Sequence, residues 1–551
     1  MAFLLYFNRL IVTLHTHYDT TLIWKNMKYF VLSAALLCIT SMNIKAQTQQ
    51  DACTSIMVGK NASVDGSVMT SHTCDSWYRT WISIEPAKDY PRDTIMSLYE
   101  GLMHTEHSKD MTGVKEKGTI PQARHTYRFL NTAYPCLNEK QLAMGETTIS
   151  GRDTLQNKKG LFLIEELSRV ALQRCTTARE AITLMSELIK KYGYGDSGEC
   201  LTIADQNEVW IFEVFGEGPK KIGGVWAAQR IPDDEIAVSA NISRIGRLDL
   251  SDTDHFMASD NVFSVAKQLK LWDGQSEFSF WKAYSGGNYF DEPKNYSVRE
   301  LFIMQQLAPE AGFTNDLEEL PLSVKPAEKL SVEKVSKLLG SYYEGTELSL
   351  SCRIDSLSKG NGEVKLKGGK PLISNPWMRP DEIRRYAGLL NDSTMANIRT
   401  VSVSWCAYST IIQLRSWMPD DIGGVAWIAL DNPGQSPRFP IFCGNTELPM
   451  MLGVCGQHRK REDAALWHYR EANRIASLKW GQARKSMQAA QQYFLDKGRR
   501  EQSFVEQTWW NTDEKERTNF LNNYTTDFFN ATIGRWDELA RKYWRQFWSG
   551  F

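Results

Sequence analysis

Two short β-prone runs, TSIMV at 54 to 58 and SVMTSH at 67 to 72, flank the polar stretch GKNASVDG, whose Asp65-Gly66 pair suits a reversing turn. They predict a hairpin with Cys53 at the mouth of its first strand. RTWISIEP at 79 to 86 is read as a further strand of the same sheet. Apolar residues then recur three and four apart in KKGLFLIEELSRVALQRC (158 to 175), the spacing of an amphipathic helix. TTAREAITLMSELIKKYG (176 to 193) predicts a second helix, with Thr177 and Glu180 placed as a capping box and Gly193 as its stop. Strand character returns in CLTIADQNEVWIFEVFG (200 to 216), a hairpin turning at Asp205 to Asn207, and in EIAVSANISRIG (235 to 246), a strand ending near Asn241.

Residues 255 to 345 mix helix, as in SVEKVSKLLGSYYEG, with Gly- and Asn-rich connection. Strand-like runs resume between 401 and 444, so distant sequence is expected to complete the first sheet. From 460 onward the pattern is helical and amphipathic, with aromatic residues at intervals. No linker of low complexity divides these regions. The simplest architecture is α+β: one domain over 53 to 460, with a helical C-terminal extension, 461 to 551, packed on it.

Composition narrows the function classes. The 551 residues are 42% apolar, as in a globular protein, and 64 Lys plus Arg balance 65 Asp plus Glu. No global field draws such a chain to nucleic acid or to an anionic membrane, so a small or neutral partner is expected. The 18 tryptophans are scattered without a repeat period, as core and pocket-wall residues would be.

The first residues read as a leader. NMKYFVLSAALLCITSMNIKAQ combines a lysine, a short apolar run and a small residue, Ala46, before Gln47, which is the pattern of a secretory signal over 27 to 46. Residues 1 to 26 then read as translation from an upstream start. The apolar run is shorter than the ~20 residues a membrane-spanning helix needs, and no later segment reaches that length. Export of a soluble protein, to a bacterial periplasm or beyond the cell, is expected. A lipoprotein anchor at Cys38 is disfavoured, because AALLC lacks the small residue such a site wants before its cysteine.

Nine of the ten cysteines lie beyond the leader, and none forms a CxxC pair. A structural zinc site is therefore not expected, and HTEH at 104 to 107 lacks further ligands nearby. GDSG at 195 to 198 imitates a serine-protease loop, but Glu199 stands where the next glycine belongs and helices intervene where barrel strands would run. It reads as a helix-to-strand loop.

Ala52-Cys53-Thr54 followed by VGKNASVDGSVMTSHTCD resembles the opening of the bacterial cysteine dipeptidases, a family of the N-terminal-nucleophile hydrolase superfamily related to penicillin V acylases and bile-salt hydrolases. The similarity continues in MGETTISGR, GECLTIADQNEVWIFEV, SANISRIG, YYEGTELSL and LRSWMPDDIGGVAWIAL, and so covers nearly the whole mature chain. It implies a four-layer αββα sandwich. It also implies that Cys53 is the nucleophile and that its own α-amino group is the base, freed by cleavage before Cys53, with residues 47 to 52 a short propeptide. An α-amine has a pKa of ~7.7 to 8.0, near the pH at which such a base must work. Asp75 in HTCD matches the position that orients the amine or thiol, and Asn241 in SANIS the position that donates to the oxyanion. The acylase relatives carry an arginine just before that aspartate where this chain has His72, so no arginine role carries over. Glu146 in GETT is a candidate for the substrate ammonium.

The expected activity is hydrolysis of dipeptides or short peptides without metal or other cofactor, with homo-oligomerisation left open. Two rivals remain: an amide acylase of the same superfamily acting on bile-salt or N-acyl amino acid conjugates, and a non-enzymatic surface protein binding peptide or glycan through its tryptophans.

Overall fold

Residues 52–285, 294–346, 348–350, 375–391 and 399–548 are described by a computed structural model. The leader over 27 to 46, most of the 47 to 52 segment, Cys38 and Cys352 lie outside the described residues.

The hairpin at Cys53 forms as its pattern predicts. Strands β1 (Ser55–Val58) and β2 (Val68–Cys74) are antiparallel, with Val58 opposite Met69. Both are buried along their length, so both faces are covered, and His72 is the one large polar side chain in the two runs. After β2 the chain leaves this sheet. β3 (Ser83–Glu85) pairs with β8 (Phe129–Asn131), at the edge of a second sheet, and does not extend the first. The reason lies far along the chain: the free side of β2 is taken by β17 (Tyr408–Leu414), in register from Cys74–Tyr408 to Val68–Leu414.

The first sheet has seven strands. Its order is β16 (Ser323–Val324), β14 (Ile236–Ser239), β1, β2, β17, β18 (Val425–Leu430) and β19 (Phe439–Phe442). The second has eight: β15 (Phe256–Ala258), β13 (Gly224–Ile231), β12 (Val209–Gly216), β11 (Glu199–Ala204), β10 (Ala143–Thr148), β9 (Leu137–Asn138), β8 and β3. The pairings within both are antiparallel, apart from these two sheets there are only the ribbons β4 (Lys88–Asp89) with β7 (His125–Thr126) and β5 (Ile95–Glu100) with β6 (Lys115–Pro121) among the described residues.

The sheets meet face to face where β2 lies over β10, β11 and β12. Gly145 allows this approach. A Cβ there would stand 2.6 Å from the Ser71 carbonyl oxygen and 2.7 Å from Thr202 Oγ1, closer than real Cβ contacts come. The interface carries hydroxyl pairs between sheets, Thr70–Thr202 at 2.5 Å and Thr147–Ser239 at 2.6 Å, so these four buried hydroxyls satisfy one another.

Helices pack against strands of both sheets. α1 (Ile164–Arg174) and α2 (Ala178–Tyr192) lie on the second sheet, and the predicted capping box of α2 is present, Thr177 Oγ1 accepting from the Glu180 N–H. α3 (Val298–Leu307) packs on β14 and α4 (Val332–Leu339) on β17. The C-terminal helices α5 (Ala465–Leu478), α6 (Trp480–Asn511) and α7 (Arg517–Phe547) reach β18 and β19. Their junction with the sheet is polar as well as apolar. Arg470 donates to Asp431 at 2.6 Å, and Trp536 Nε1 donates to Asn473 at 3.1 Å, both pairs buried. Trp210, Trp377, Trp480 and Trp536 are among the largest fully buried side chains, as scattered core tryptophans should be. Among the described residues no helix is long and apolar enough to cross a membrane.

Candidate active site

The mouth of the first hairpin is where the polar groups of the molecule converge. β14 ends at Ser239, and Asn241 then adopts a left-handed backbone, φ 65°, which asparagine tolerates better than most side chains. That turn aims its amide at Cys53. Asn241 Oδ1 accepts from the Cys53 N–H at 2.8 Å and from Arg299 Nη2 at 3.0 Å, while its Nδ2 donates to the Thr148 carbonyl at 2.8 Å. A flipped amide would set donor against donor at both Cys53 and Arg299, so this orientation is forced. The amide that was expected to face an oxyanion here presents its oxygen to the Cys53 nitrogen.

Two arginines that motif reading missed hold the backbone at the same point. Arg299, the second residue of α3, donates to the Cys53 carbonyl at 2.6 Å, to Thr54 Oγ1 at 3.0 Å and to the Ala240 carbonyl at 2.9 Å. Its helix is anchored by Ser297 and Glu300, a capping box whose glutamate also accepts from the Ala240 N–H at 2.8 Å. Burial, and then Arg399, lower the Arg299 pKa to about 10, so it remains cationic at neutral pH. Arg399 Nη2 donates to the Ala52 carbonyl and to Asp75 Oδ2, each at 2.7 Å. Asp75, fully buried, also accepts from Thr73 Oγ1 at 2.9 Å. Asp75 thus orients Arg399, and Arg399 touches the carbonyl of the Ala52–Cys53 bond.

The thiol meets a different set of groups. Cys53, His72 and Glu146 are 2%, 2% and 1% exposed, and their ligand-type atoms lie within 4.8 Å of one another. The thiol donates a long hydrogen bond, 3.7 Å, to Glu146 Oε2. Burial pushes the Cys53 pKa well above its ordinary value, Glu146, Cys74 and Asp75 add to this, and a backbone hydrogen bond from Asp75 opposes it. The thiol is therefore protonated as it stands and needs a base to become a nucleophile.

His72 Nδ1 lies 2.6 Å from the Glu146 carbonyl oxygen and 3.3 Å from the Glu146 N–H. Two lone pairs cannot approach to 2.6 Å, so Nδ1 carries the proton and the 3.3 Å contact is secondary. Nε2 is then a bare lone pair, buried and without a hydrogen-bond partner among the described residues. Burial lowers the His72 pKa to about 4, which keeps the ring neutral at neutral pH.

Behind the thiol is a group of carboxyls. Glu146 lies opposite Leu201 and Thr148 opposite Glu199, which makes Glu146 and Glu199 diagonal neighbours on one face of the β10–β11 pair. Burial raises both above the ordinary glutamate value. The hydrogen bond between them lowers Glu146 and raises Glu199, so of the two Glu199 keeps its proton to the higher pH. Oε2 of Glu199 and both carboxyl oxygens of Glu165 are buried without partners among the described residues. Glu199 begins β11 directly after the GDSG loop, which is the helix-to-strand connection its sequence suggested.

Comparison with known proteins now decides the family. Residues 52–493 match the model of peptidase family C69. The chain belongs to that family. It is accordingly a hydrolase of the cysteine-peptidase class, and the resemblance read from its motifs holds over residues 52–493. The C69 match ends at residue 493, inside α6. Relatives include a "Probable dipeptidase" of Latilactobacillus sakei, 29% identical over 71% of this chain and 74% of its own length. Another is a "Probable dipeptidase" of Salmonella dublin, 26% identical over 71% of this chain and 81% of its own. Among solved structures the penicillin V acylase of Agrobacterium tumefaciens is matched over 71% of this chain and 86% of that one, at 10% identity and a TM-score of 0.26.

Proposed function

We propose that this C69 chain is an exported dipeptidase of the N-terminal-nucleophile type, built as an αββα sandwich with a helical C-terminal extension and activated by cleavage of its own Ala52–Cys53 bond. The reading is supported most by one observation: Arg399 Nη2 stands 2.7 Å from the Ala52 carbonyl oxygen while Asn241 and Arg299 fix the nitrogen and carbonyl of Cys53. A peptide bond gripped on both sides of its scissile atoms, next to a buried thiol, is arranged for an acyl shift.

In that shift the Cys53 sulfur bonds to the Ala52 carbonyl carbon and the C–N bond breaks. The thiol proton ends on the departing nitrogen, leaving a thioester and a free α-amine. Water then hydrolyses the thioester, releasing the Ala52 carboxylate and restoring the thiol. Arg399 meets the negative charge that develops on the carbonyl oxygen, the position where a preorganised donor is worth most. Residues 27 to 46 act as the secretion signal and 47 to 52 as the segment removed last.

Once Cys53 is the first residue, its α-amine, held by Asn241 Oδ1, takes the thiol proton as the sulfur attacks the substrate carbonyl. The amine returns the proton to the leaving amino group, and water clears the acyl-enzyme. Glu146, whose Oε2 is 3.7 Å from Sγ, receives the substrate's own ammonium, one residue from the bond being broken. A free N-terminus is then required, which separates a dipeptidase from an acylase.

Mass spectrometry of the first peptide of the purified active protein tests the activation, and dipeptides assayed beside N-acyl amino acids test the specificity. A chain beginning at Cys53 that cleaves free dipeptides is expected. An active protein retaining Ala52, or one that cleaves only acylated compounds, overturns the reading.

A further inference from the structure

We infer that Cys53, His72 and Glu146 form an inhibitory zinc site, in which one Zn²⁺ caps the nucleophile. The three residues are 19 and 74 or more positions apart in sequence, β2 and β10 bring them together, and no spacing motif announces them. Their ligand atoms lie within 4.8 Å of one another. Ligands around tetrahedral zinc, at bonds of about 2.0 to 2.3 Å, stand roughly 3.3 to 3.8 Å apart, so about 1 Å of side-chain closure completes the arrangement.

The independent pointer is His72 Nε2. It is a buried lone pair with no partner among the described residues, and its ring is fixed by the Nδ1–H bond to the Glu146 carbonyl, the kind of supporting contact that metal-binding histidines use. One thiolate, one neutral imidazole and one carboxylate favour zinc over magnesium or calcium, which take oxygen ligands. Zinc displaces the thiol proton to solvent as the Zn–S bond forms, so no redox partner is involved. In the processed chain the Cys53 α-amine lies one residue's reach from its own sulfur and can fill the fourth position, with water filling it otherwise. Access to the ion rests on the proposed reaction: an entrance that admits a dipeptide admits a hydrated ion.

The test uses processed protein freed of metal by chelator. Calorimetric titration with ZnCl₂ is expected to show one ion per chain, and Co²⁺ to give a thiolate-to-cobalt charge-transfer band that iodoacetamide removes. Zinc is expected to stop dipeptide turnover, and chelator to restore it. His72→Gln and Glu146→Gln, checked for native circular dichroism, should each bind at least tenfold more weakly. Absence of the cobalt band in wild type, or unchanged zinc affinity in a folded variant, overturns the inference. Turnover in zinc-free buffer reports separately on the proposed activity, so failure of the site and failure of the reaction are distinguishable.

Discussion

Cys53 sits between two neighbourhoods of opposite character. On its main-chain side, Arg299 and Arg399 donate to the carbonyls of Cys53 and Ala52, and every cation there has an oxygen to serve. On its side-chain side, Glu146, Glu165 and Glu199 are buried, and burial rather than any cation dominates their pKa values. A buried carboxylate without a cation is costly, and proteins rarely keep several together. The arginine side is complete in itself, and in the proposed cleavage it would act on charge that appears during reaction. The carboxyl side has no such cation, and in the proposed reaction the substrate ammonium supplies one.

The largest expected effect breaks both sides at their junction. Cys53→Ala should retain residues 47 to 52, fold as the parent by circular dichroism, and hydrolyse no dipeptide above background. Retained turnover would remove the thiol from the chemistry altogether. Next comes the arginine side alone. Arg399→Gln loses the charge and, with a side chain two atoms shorter, withdraws the donor from the Ala52 carbonyl; loss of one such donor at an oxyanion typically slows the step ~10²–10³-fold. Intact mass followed over time should show cleavage before Cys53 slowed to that extent, with Arg399→Lys intermediate. Processing at the parent rate would mean that the 2.7 Å contact to Ala52 is structural only.

The two sides were unequally legible in the sequence. The hairpin, the α2 cap and the 200 to 216 hairpin are local, set by turn residues and periodicity, and each formed as its pattern predicted. Cys53, Asp75 and Asn241 were found through the resemblance, and all three meet at the hairpin mouth. Arg299 and Arg399 lie 246 and 347 residues from the groups they serve, in segments with no motif, and no local signal marks them. Glu199 was singled out only as the residue that spoils a protease loop, although it also lies in GECLTIADQNEVWIFEV. A better signal was present, since an acid opening an otherwise buried strand, ECLTIA, must be held by something. β3 went to the wrong sheet because pairing partners depend on which distant strand arrives, here β17.

On the carboxyl side the expected effects are smaller. In processed enzyme, Glu146→Gln should lower kcat/KM for free dipeptides roughly 10- to 100-fold, the worth of about 1.5–3 kcal/mol for a hydrogen bond to a charged group. An N-acetylated dipeptide, which brings no ammonium, should be indifferent to the change. The pH profile sharpens this. Burial raises the Glu146 pKa, so the carboxyl stays neutral at pH values where an exposed glutamate is charged. Ammonium binding needs the charged form, and kcat/KM should therefore rise with pH through a value above the ordinary ~4.3 and lose that limb in the glutamine variant. A profile identical in parent and variant would assign the ammonium to another group.

The smallest effect tests whether the carboxyl side depends on the helices behind it. α2 packs on β11, β12 and β13, the strands that carry Glu199 and its neighbours, and its first turn is held by the Thr177–Glu180 box. Thr177→Ala removes the acceptor for the Glu180 N–H and should cost about 1 kcal/mol, read as a lower urea midpoint with unchanged slope. Because the box lies at the exposed end of the helix, kcat and KM for dipeptides should not move. If KM rose while kcat held, the ammonium side would depend on the seating of α2. The arginine side, anchored instead through α3 and β14, should keep its processing rate in either case.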